Sequence, residues 1–324
     1  MTESAQTVSQ DDTFHRGELI AQQHVGVREK MAGIGPRVIR DYMPDQHRDF
    51  FEQLRFLLVG SRDDTGQPWA SMLVGEVGFV SSPTERQLQV RAHAHPSDPL
   101  NENLHDGAAL GLLGIEPHTR RRNRANGIVE RVSDAGFLIN ITESFGNCPK
   151  YIQARRPALI SLDSTVSVRE EIGTVLTPAM AALISRADTF FIATAADENA
   201  RHVGGRHGTD VSHRGGKPGF VRVDGDHTLT VPDFVGNFFF NTIGNLVTYP
   251  RAGLLFVDFS NGDLLYVAVT GKVIWDGPEV ESFTGAQRLM QFSVSQARHV
   301  RSALPLRWSD AEPSPYLEPL GSWK

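Results

Sequence analysis

Cysteine is almost missing from this chain: Cys148 is the only one in 324 residues. A single thiol cannot close an intrachain disulfide, so the fold rests on packing and is compatible with a reducing compartment. Also missing is any uninterrupted apolar run of about 18 residues, the length a membrane-spanning helix needs. The first residues, MTESAQTVSQDDTFHRGE, carry neither the basic nor the apolar stretch of a secretory signal and read as a polar, disordered tail. These absences predict a cytoplasmic protein with no membrane role. Charge is not strongly of one sign: 32 Lys and Arg stand against 38 Asp and Glu, a net of −6, which argues against nucleic acid as a partner. There is no GxSxG elbow, no P-loop, and no GxGxxG between a strand and a helix. The glycines of GGRHG (Gly204 to Gly208) and RGGKPG (Arg214 to Gly219) read as turns. Hydrolase, kinase and dinucleotide-Rossmann readings are thereby disfavoured. His93 and His95 lie two apart on one strand face, but no third ligand stands at suitable spacing, so no metal site is predicted.

What is present is enough for a packed core. Hydrophobic residues make up 40% and charged ones 22%, and the length suits about two domains. Helices are predicted over 14–29, 45–54, 100–105 and 177–186, the last with Thr177 as cap and Pro178 at its first position. Apolar or alternating strands are predicted at 55–60, 69–80, 87–93 and 108–115, and again at 192–195, 210–214, 231–233, 253–257, 263–269 and 271–275. The spacing of Val280, Phe283, Leu289, Phe292 and Val300 predicts a C-terminal helix over 279–301. A Pro-rich extended arm follows from Pro305.

The two halves repeat. WASMLVGEVGFV (Trp69 to Val80) aligns with DVSHRGGKPGFV (ending at Val221), placing Ser71 on Ser212 and Gly75 on Gly216. GLLG from Gly111 then falls on GLLF from Gly253 with a nearly unchanged offset. The chain therefore reads as two copies of one unit.

The copies differ in chemistry. In the second, Ser212, His213 and Arg214 lie on a strand, and Asn237, Asn241 and Asn245 recur every four residues on the helical stretch 237–246. Residues four apart share a helix face, so hydroxyl, guanidinium and amide donors gather beside a helix start, a seat for an anion such as phosphate. A Ser-x-Arg alone is usually surface chemistry; the three amides strengthen the binding reading. Where this copy has His213, Arg214 and Lys217, the first has Met72, Leu73 and Glu76, and DPLNENLHDGAA replaces the asparagine series. The first copy adds Thr119 to Gly127, TRRRNRANG, read as a connection at a sheet rim. It is either a solvated basic loop or an electropositive clamp. Cys148, beside Lys150, reads as a buried inert thiol.

DVSHRGG-x-PGFVRV followed by VPDFVGN-x-x-x-N-x-x-GN and PRAGLLFVDF resembles the pyridoxamine 5′-phosphate oxidase-related, FMN-binding split-barrel family, closely over about a third of the chain. The arginine stretch and FGNCPKYI (Phe145 to Ile152) are similar to segments of its tandem members. The resemblance implies a mainly β, α+β chain with flanking helices, built as two tandem six-stranded split barrels that form a pseudo-dimer. It implies a tail and helix over 1–45, a first barrel with a degenerate site over 46–165, a second barrel over 166–278, and a C-terminal helix and tail over 279–324. One FMN is expected, in the second barrel. Its expected contacts are Ser212, His213, Arg214, Val231, Pro232, Asp233, Asn237, Asn241, Asn245 and Lys272, with Arg122, Arg124 and Asn126 from the first copy. His213 covers the flavin ring or faces solvent, and Val231 to Asp233 run along the flavin edge. The implied activity is flavin-dependent oxidoreduction with no catalytic side chain assigned. The substrate and electron donor stay open, and pyridoxamine phosphate is disfavoured because Asn237 and Asn241 replace the family's arginine and lysine. A flavin, haem or deazaflavin carrier without a substrate is the alternative, and a homodimer of the whole chain is a further expectation.

Overall fold

The strands read from period-two apolar patterning supply most of the fold of the computed structural model, which describes residues 13–161, 169–196 and 208–323. The polar tail before residue 13, the linker around Val166 and the glycines Gly204 and Gly205 lie outside the described residues. Three helices, α1 (Arg16–His24), α2 (Arg28–Val38) and α3 (Asp45–Glu52), precede the first sheet. That sheet comprises β1 (Phe56–Arg62), β2 (Pro68–Val74), β3 (Val80–Ser81), β4 (Gln87–Val90), β5 (Ala109–Glu116), β6 (Arg121–Ser133) and β7 (Gly136–Gly146), with α4 (Leu100–Asn103) between β4 and β5. After β8 (Pro157–Leu159), β9 (Arg169–Gly173) and α5 (Pro178–Arg186), the second sheet takes β10 (Thr189–Ala195), β11 (Thr209–Gly215), β12 (Arg222–Asp224) and β13 (Thr228–Asp233). It continues through α6 (Asn241–Thr248), β14 (Arg251–Val257), β15 (Leu264–Ile274), α7 (Pro278–Glu281) and β16 (Arg288–Arg301), and β17 (Leu306–Trp308) pairs with β8. The chain is mainly β with seven α-helices among the described residues.

The two sheets share one strand order. The first runs β2-β1-β5-β6-β7-β4-β3 and the second β11-β10-β14-β15-β16-β13-β12, with β9 added against β16. Registers agree residue by residue. The row Met72, Leu58, Leu113, Arg124, Phe145 in the first sheet corresponds to His213, Phe191, Leu255, Tyr266, Arg298 in the second. Ser71 and Ser212 occupy equivalent places in the neighbouring row, as the sequence alignment predicts. Both sheets break register one row further on, at Asn126/Gly127 and at Ala268/Val269.

Three expectations need correction. Each sheet has at least seven strands rather than six, and neither path closes on itself, so the units are open sheets rather than closed barrels. The expected strands 263–269 and 271–275 are the single strand β15, because Thr270 and Gly271 continue the ladder against Ser293 and Phe292. The expected helix over 279–301 is only the short α7; most of the segment is β16, which pairs with β15, β13 and β9. Its apolar residues fit helical spacing by coincidence. Along the strand, Phe292, Val294 and Ala297 enter the core while Ser293 and Ser295 face outward. The second sheet therefore runs past residue 278 to Arg301.

The sheets pack through β1, β2 and β5 against β10, β11 and β14. An apolar cluster joins Leu58, Trp69, Met72 and Leu113 to Phe191, Val211, Leu255 and Tyr266. Backbones touch here, which requires glycine. A Cβ on Gly111 would lie 2.4 Å from the Thr209 carbonyl oxygen, and one on Gly253 2.2 Å from that of Pro68. These are the same contact made twice, once from each copy. Gly111→Ala or Gly253→Ala is therefore expected to lower stability by about 1–3 kcal/mol through overpacking, read as a lower urea midpoint. Gly33→Ala, where a Cβ meets nothing within 4 Å, is the matched control.

Candidate functional site

A cleft opens between the copies where β6 of the first sheet approaches β11 of the second. Its walls include Leu113, Arg122, Arg124 and Cys148 from the first copy, and Ser212, Arg214, Asp233 and Arg288 from the second. The segment between β13 and α6 contributes Phe234 to Phe238 and Phe240, and the first residue of α6 contributes Asn241. Four guanidinium groups thus face one space. The period of two on each strand explains the grouping: Arg122, Arg124 and Asn126 alternate along β6, as Asp210, Ser212 and Arg214 do along β11. The arginine stretch is not a connecting loop, as expected from sequence, but the start of a 13-residue strand. Only Arg120 takes the turn before it, in a left-handed conformation.

Arg214 donates through Nη1 to Asp233 Oδ1 at 2.9 Å, and Arg288 to Asp233 Oδ2 at 2.8 Å. Arg122 donates to the carbonyls of Cys148, at 2.7 Å, and of His213, at 3.4 Å. Arg124, 2% exposed, donates to Asp210 Oδ1 at 2.7 Å, the Val211 carbonyl at 2.9 Å and Ser212 Oγ at 2.5 Å. The Nε atoms of Arg124, Arg214 and Arg288 are buried without a hydrogen-bond partner among the described residues. Such donors are costly to leave unmatched. Burial, with repulsion from Arg214 and Arg124, pulls the Arg122 guanidinium down to about 10. Burial and the neighbouring Arg288 and Arg124 lower that of Arg214, against the pull of Asp233. His213 is held well below its ordinary value by burial and by Arg122, Arg214 and Arg155, so it is neutral at pH 7. The region is an electropositive pocket short of anions.

The structure places the expected binding residues differently. Ser212, His213, Arg214, Asp233, Asn237, Asn241, Arg122 and Arg124 all line the cleft. His213 does not face solvent: it is buried, its ring edge-on to Phe191 with centroids 5.9 Å apart. Pro232 lines a smaller adjoining space with Tyr151 and Arg214, whereas Val231 is buried in the second sheet's core. Lys272 is exposed on β15, pairs with Gln291 and stands outside the cleft. Asn126 and Asn245 lie behind it, both donating to Asp210, at 2.7 and 3.2 Å.

The three asparagines do not share a helix face. The helix α6 begins at Asn241, so Asn237 precedes it and receives the Phe239 N–H at 3.2 Å. Asn241 donates to Glu18 of α1 at 2.6 Å, and Asn245 to Thr194 at 3.0 Å. Nor is Asn245 peculiar to the second copy, because Asn103 donates to Ser61 at the same 3.0 Å in the first. That amide is part of the shared scaffold. Asn103 was visible in the NENL stretch.

Sequence reasoning missed Arg288 because its strand was taken for a helix. The guanidinium of Arg288 lies 4.9 Å from the Phe240 ring centroid. It also missed Phe238 and Phe240, which hold left-handed backbone at φ 62° and 67° where the chain turns over the cleft. Such conformations cost about 1–3 kcal/mol each in non-glycine residues and collect at ligand sites. Behind the cleft, Glu18 is pushed well above the usual carboxyl range by burial and by the nearby Asp210 and Glu143. The folded state thus holds this proton more tightly than the unfolded chain, so its contribution to stability is lost as pH rises through the folded value. Glu18→Gln is expected to flatten the fall in melting temperature with rising pH; an unchanged slope would contradict this assignment.

No protein-family model matches the chain, and no curated protein matches it. Solved structures do match part of it. HupZ of Group A Streptococcus aligns at 14% identity over 38% of this chain and 98% of its own, with a TM-score of 0.29. A candidate pyridoxamine 5′-phosphate oxidase of Lactobacillus delbrueckii aligns at 13% over 39% of this chain and 94% of its own, TM-score 0.29. An FAD-binding protein of Mesorhizobium loti aligns at 10% over 41% of this chain and 99% of its own, TM-score 0.25. Each likeness covers less than half of the chain, and its low TM-score carries no argument about activity. No described helix is long and apolar enough to cross a membrane.

Proposed function

We propose that the cleft holds one anionic cofactor per chain, a flavin mononucleotide, and that the chain acts as a flavin-dependent oxidoreductase. The observation that carries the anionic part is the charge balance: four guanidinium groups line the cleft, and Asp233 and Asp210 are the carboxylates paired with them. Three buried Nε donors without partners fit a group rich in acceptor oxygens. The flavin part rests on the sequence resemblance of residues 209–257. The common strand order of the two sheets supports a tandem, dimer-like arrangement with its cleft between copies. The expected six-stranded barrels become open sheets of seven and eight strands in this reading.

When bound, the flavin supplies the redox chemistry, and the protein supplies position and electrostatics. Arg214 and Arg288, fixed by Asp233, hold negative charge at one end of the cleft. Arg122, anchored by two carbonyls, lies on the first-copy side. Phe234, Phe238 and Phe240 give the cleft its apolar surface. Neutral His213 adds no further charge. Among the described residues the cleft presents no uncommitted carboxylate, since Asp233 serves two arginines. That commitment leaves room for a second reading, a flavin, haem or deazaflavin carrier with no substrate of its own.

An absorbance scan of freshly purified protein, with cofactor quantified after heat release, tests both. Oxidised-flavin bands at about one FMN per chain, followed by bleaching with a nicotinamide donor, support the oxidoreductase. Bands of haem or deazaflavin support the carrier. A colourless protein that also ignores added FMN removes the flavin reading.

A further inference from the structure

The first copy has its own version of the cleft, and a side chain of the protein fills it. The matched registers place Ser71 on Ser212, Leu73 on Arg214, Tyr266 on Arg124 and Arg298 on Phe145. The paired amide bonds of Asn103 to Ser61 and Asn245 to Thr194 extend the match into the helices. Counting back from that pair sets Leu100 on Thr242, which lines the open cleft. At this place in the first copy stands the carboxylate of Asp98, 2% exposed. It accepts hydrogen bonds from Ser71 Oγ at 2.5 Å, the Leu100 N–H at 2.8 Å and the Tyr266 hydroxyl at 2.8 Å. Arg298 closes over the same segment, donating to the Ser97 carbonyl at 2.6 Å. Three donors from three elements, including one from the opposite copy, converge on one buried anion.

We propose that Asp98 is an internal anion that occupies a latent oxyanion site in the first copy, and that removing its carboxylate opens the site to a small external oxyanion. The comparison rests on reading the second-copy cleft as an anion site. In that cleft the same count sets the apolar Phe240 in the place of Asp98, and Ser212, Phe240 and Thr242 line a space with no carboxylate from this position. In the first copy, Asp98 supplies the charge covalently, so one chain takes one anionic ligand rather than two. Burial raises the Asp98 carboxyl to about 6, against its hydrogen bonds from Ser71, Leu100 and Tyr266, and the group is an anion at pH 7.5.

The test is chemical rescue of Asp98→Ala in the full chain, using formate, which matches the deleted carboxylate. Thermal unfolding is followed at pH 7.5 in sodium formate and in sodium chloride of equal ionic strength. The expected result is a melting temperature that rises saturably with formate, half-maximally in the millimolar range. The wild type and Asp98→Asn, whose amide refills the hole, should show no formate-specific rise. The response should persist in Asp98→Ala/Arg214→Ala, where the second-copy cleft is disabled. No formate-specific rise in Asp98→Ala, or an equal one in the wild type or Asp98→Asn, overturns the proposal. Should Asp98→Ala fail to fold in chloride, recovery of folded protein in formate supports it, and failure in formate while Asp98→Asn folds overturns it. Failure of the flavin reading appears separately, as a colourless wild type that ignores added FMN.

Discussion

Arg214→Ala is expected to weaken FMN binding about 10- to 100-fold, so that the purified protein loses its flavin while remaining folded. The magnitude follows from the loss of one charge-assisted contact of about 1.5–3 kcal/mol. The fold should survive because Asp233 keeps its second partner, Arg288, at 2.8 Å. Arg288→Ala should behave alike, with Arg214 remaining on Asp233. Leu73→Ala is the comparison that isolates the site, since Leu73 takes the place of Arg214 in the first copy. It is 1% exposed in the first sheet's core, so its truncation should lower stability by about 2–5 kcal/mol and leave flavin affinity intact. Titration of added FMN by fluorescence quenching, beside a urea melt of each variant, separates the two effects. Equal flavin loss in Arg214→Ala and Leu73→Ala, both folded, would sink the one-site assignment.

The largest loss of stability is expected from Arg124→Ala, about 3–5 kcal/mol. Arg124 and Asp210 are both buried and joined at 2.7 Å across the two copies, so truncating the arginine strands a carboxylate that, among the described residues, only the neutral amides of Asn126 and Asn245 still reach. Arg124→Met with Asp210→Asn removes both charges and should recover part of that loss. The measurement is the urea midpoint of the single and double variants. A single-variant loss under about 1 kcal/mol would mean that the pair does not hold the copies together. Arg124 is thus a clasp between copies as well as a wall of the cleft, and its flavin phenotype must be read only where the variant remains folded.

Local features were legible wherever a few neighbouring residues decide the outcome. Thr177 and Pro178 start α5 as expected, with Thr177 Oγ accepting from the Met180 N–H. Ser212 and Arg214 share a strand face because alternation is intrinsic to extended backbone. Ser71 and Ser212, and Gly111 and Gly253, which the sequence aligns, occupy matching positions in two sheets of the same strand order. The glycines among these positions mark where one copy's backbone meets the other's.

Other features depended on partners far away in sequence. The apolar positions of 279–301 fit a helix as well as a strand, and only the ladders with β15, β13 and β9 select the strand. That choice brings Arg288 to Asp233, which sequence spacing does not link. The asparagine series looked like one helical face, but α6 starts only at Asn241, and the amides turn to α1, β10 and β11 instead. The sequence by itself thus determined the mainly β character of the chain and the alternation that sets Arg122 with Arg124 and Ser212 with Arg214, because both follow from short-range pattern. The tertiary structure alone decided that Arg214 and Arg288 pair with Asp233 and Arg124 with Asp210, because a guanidinium's partners are the charges that folding brings beside it.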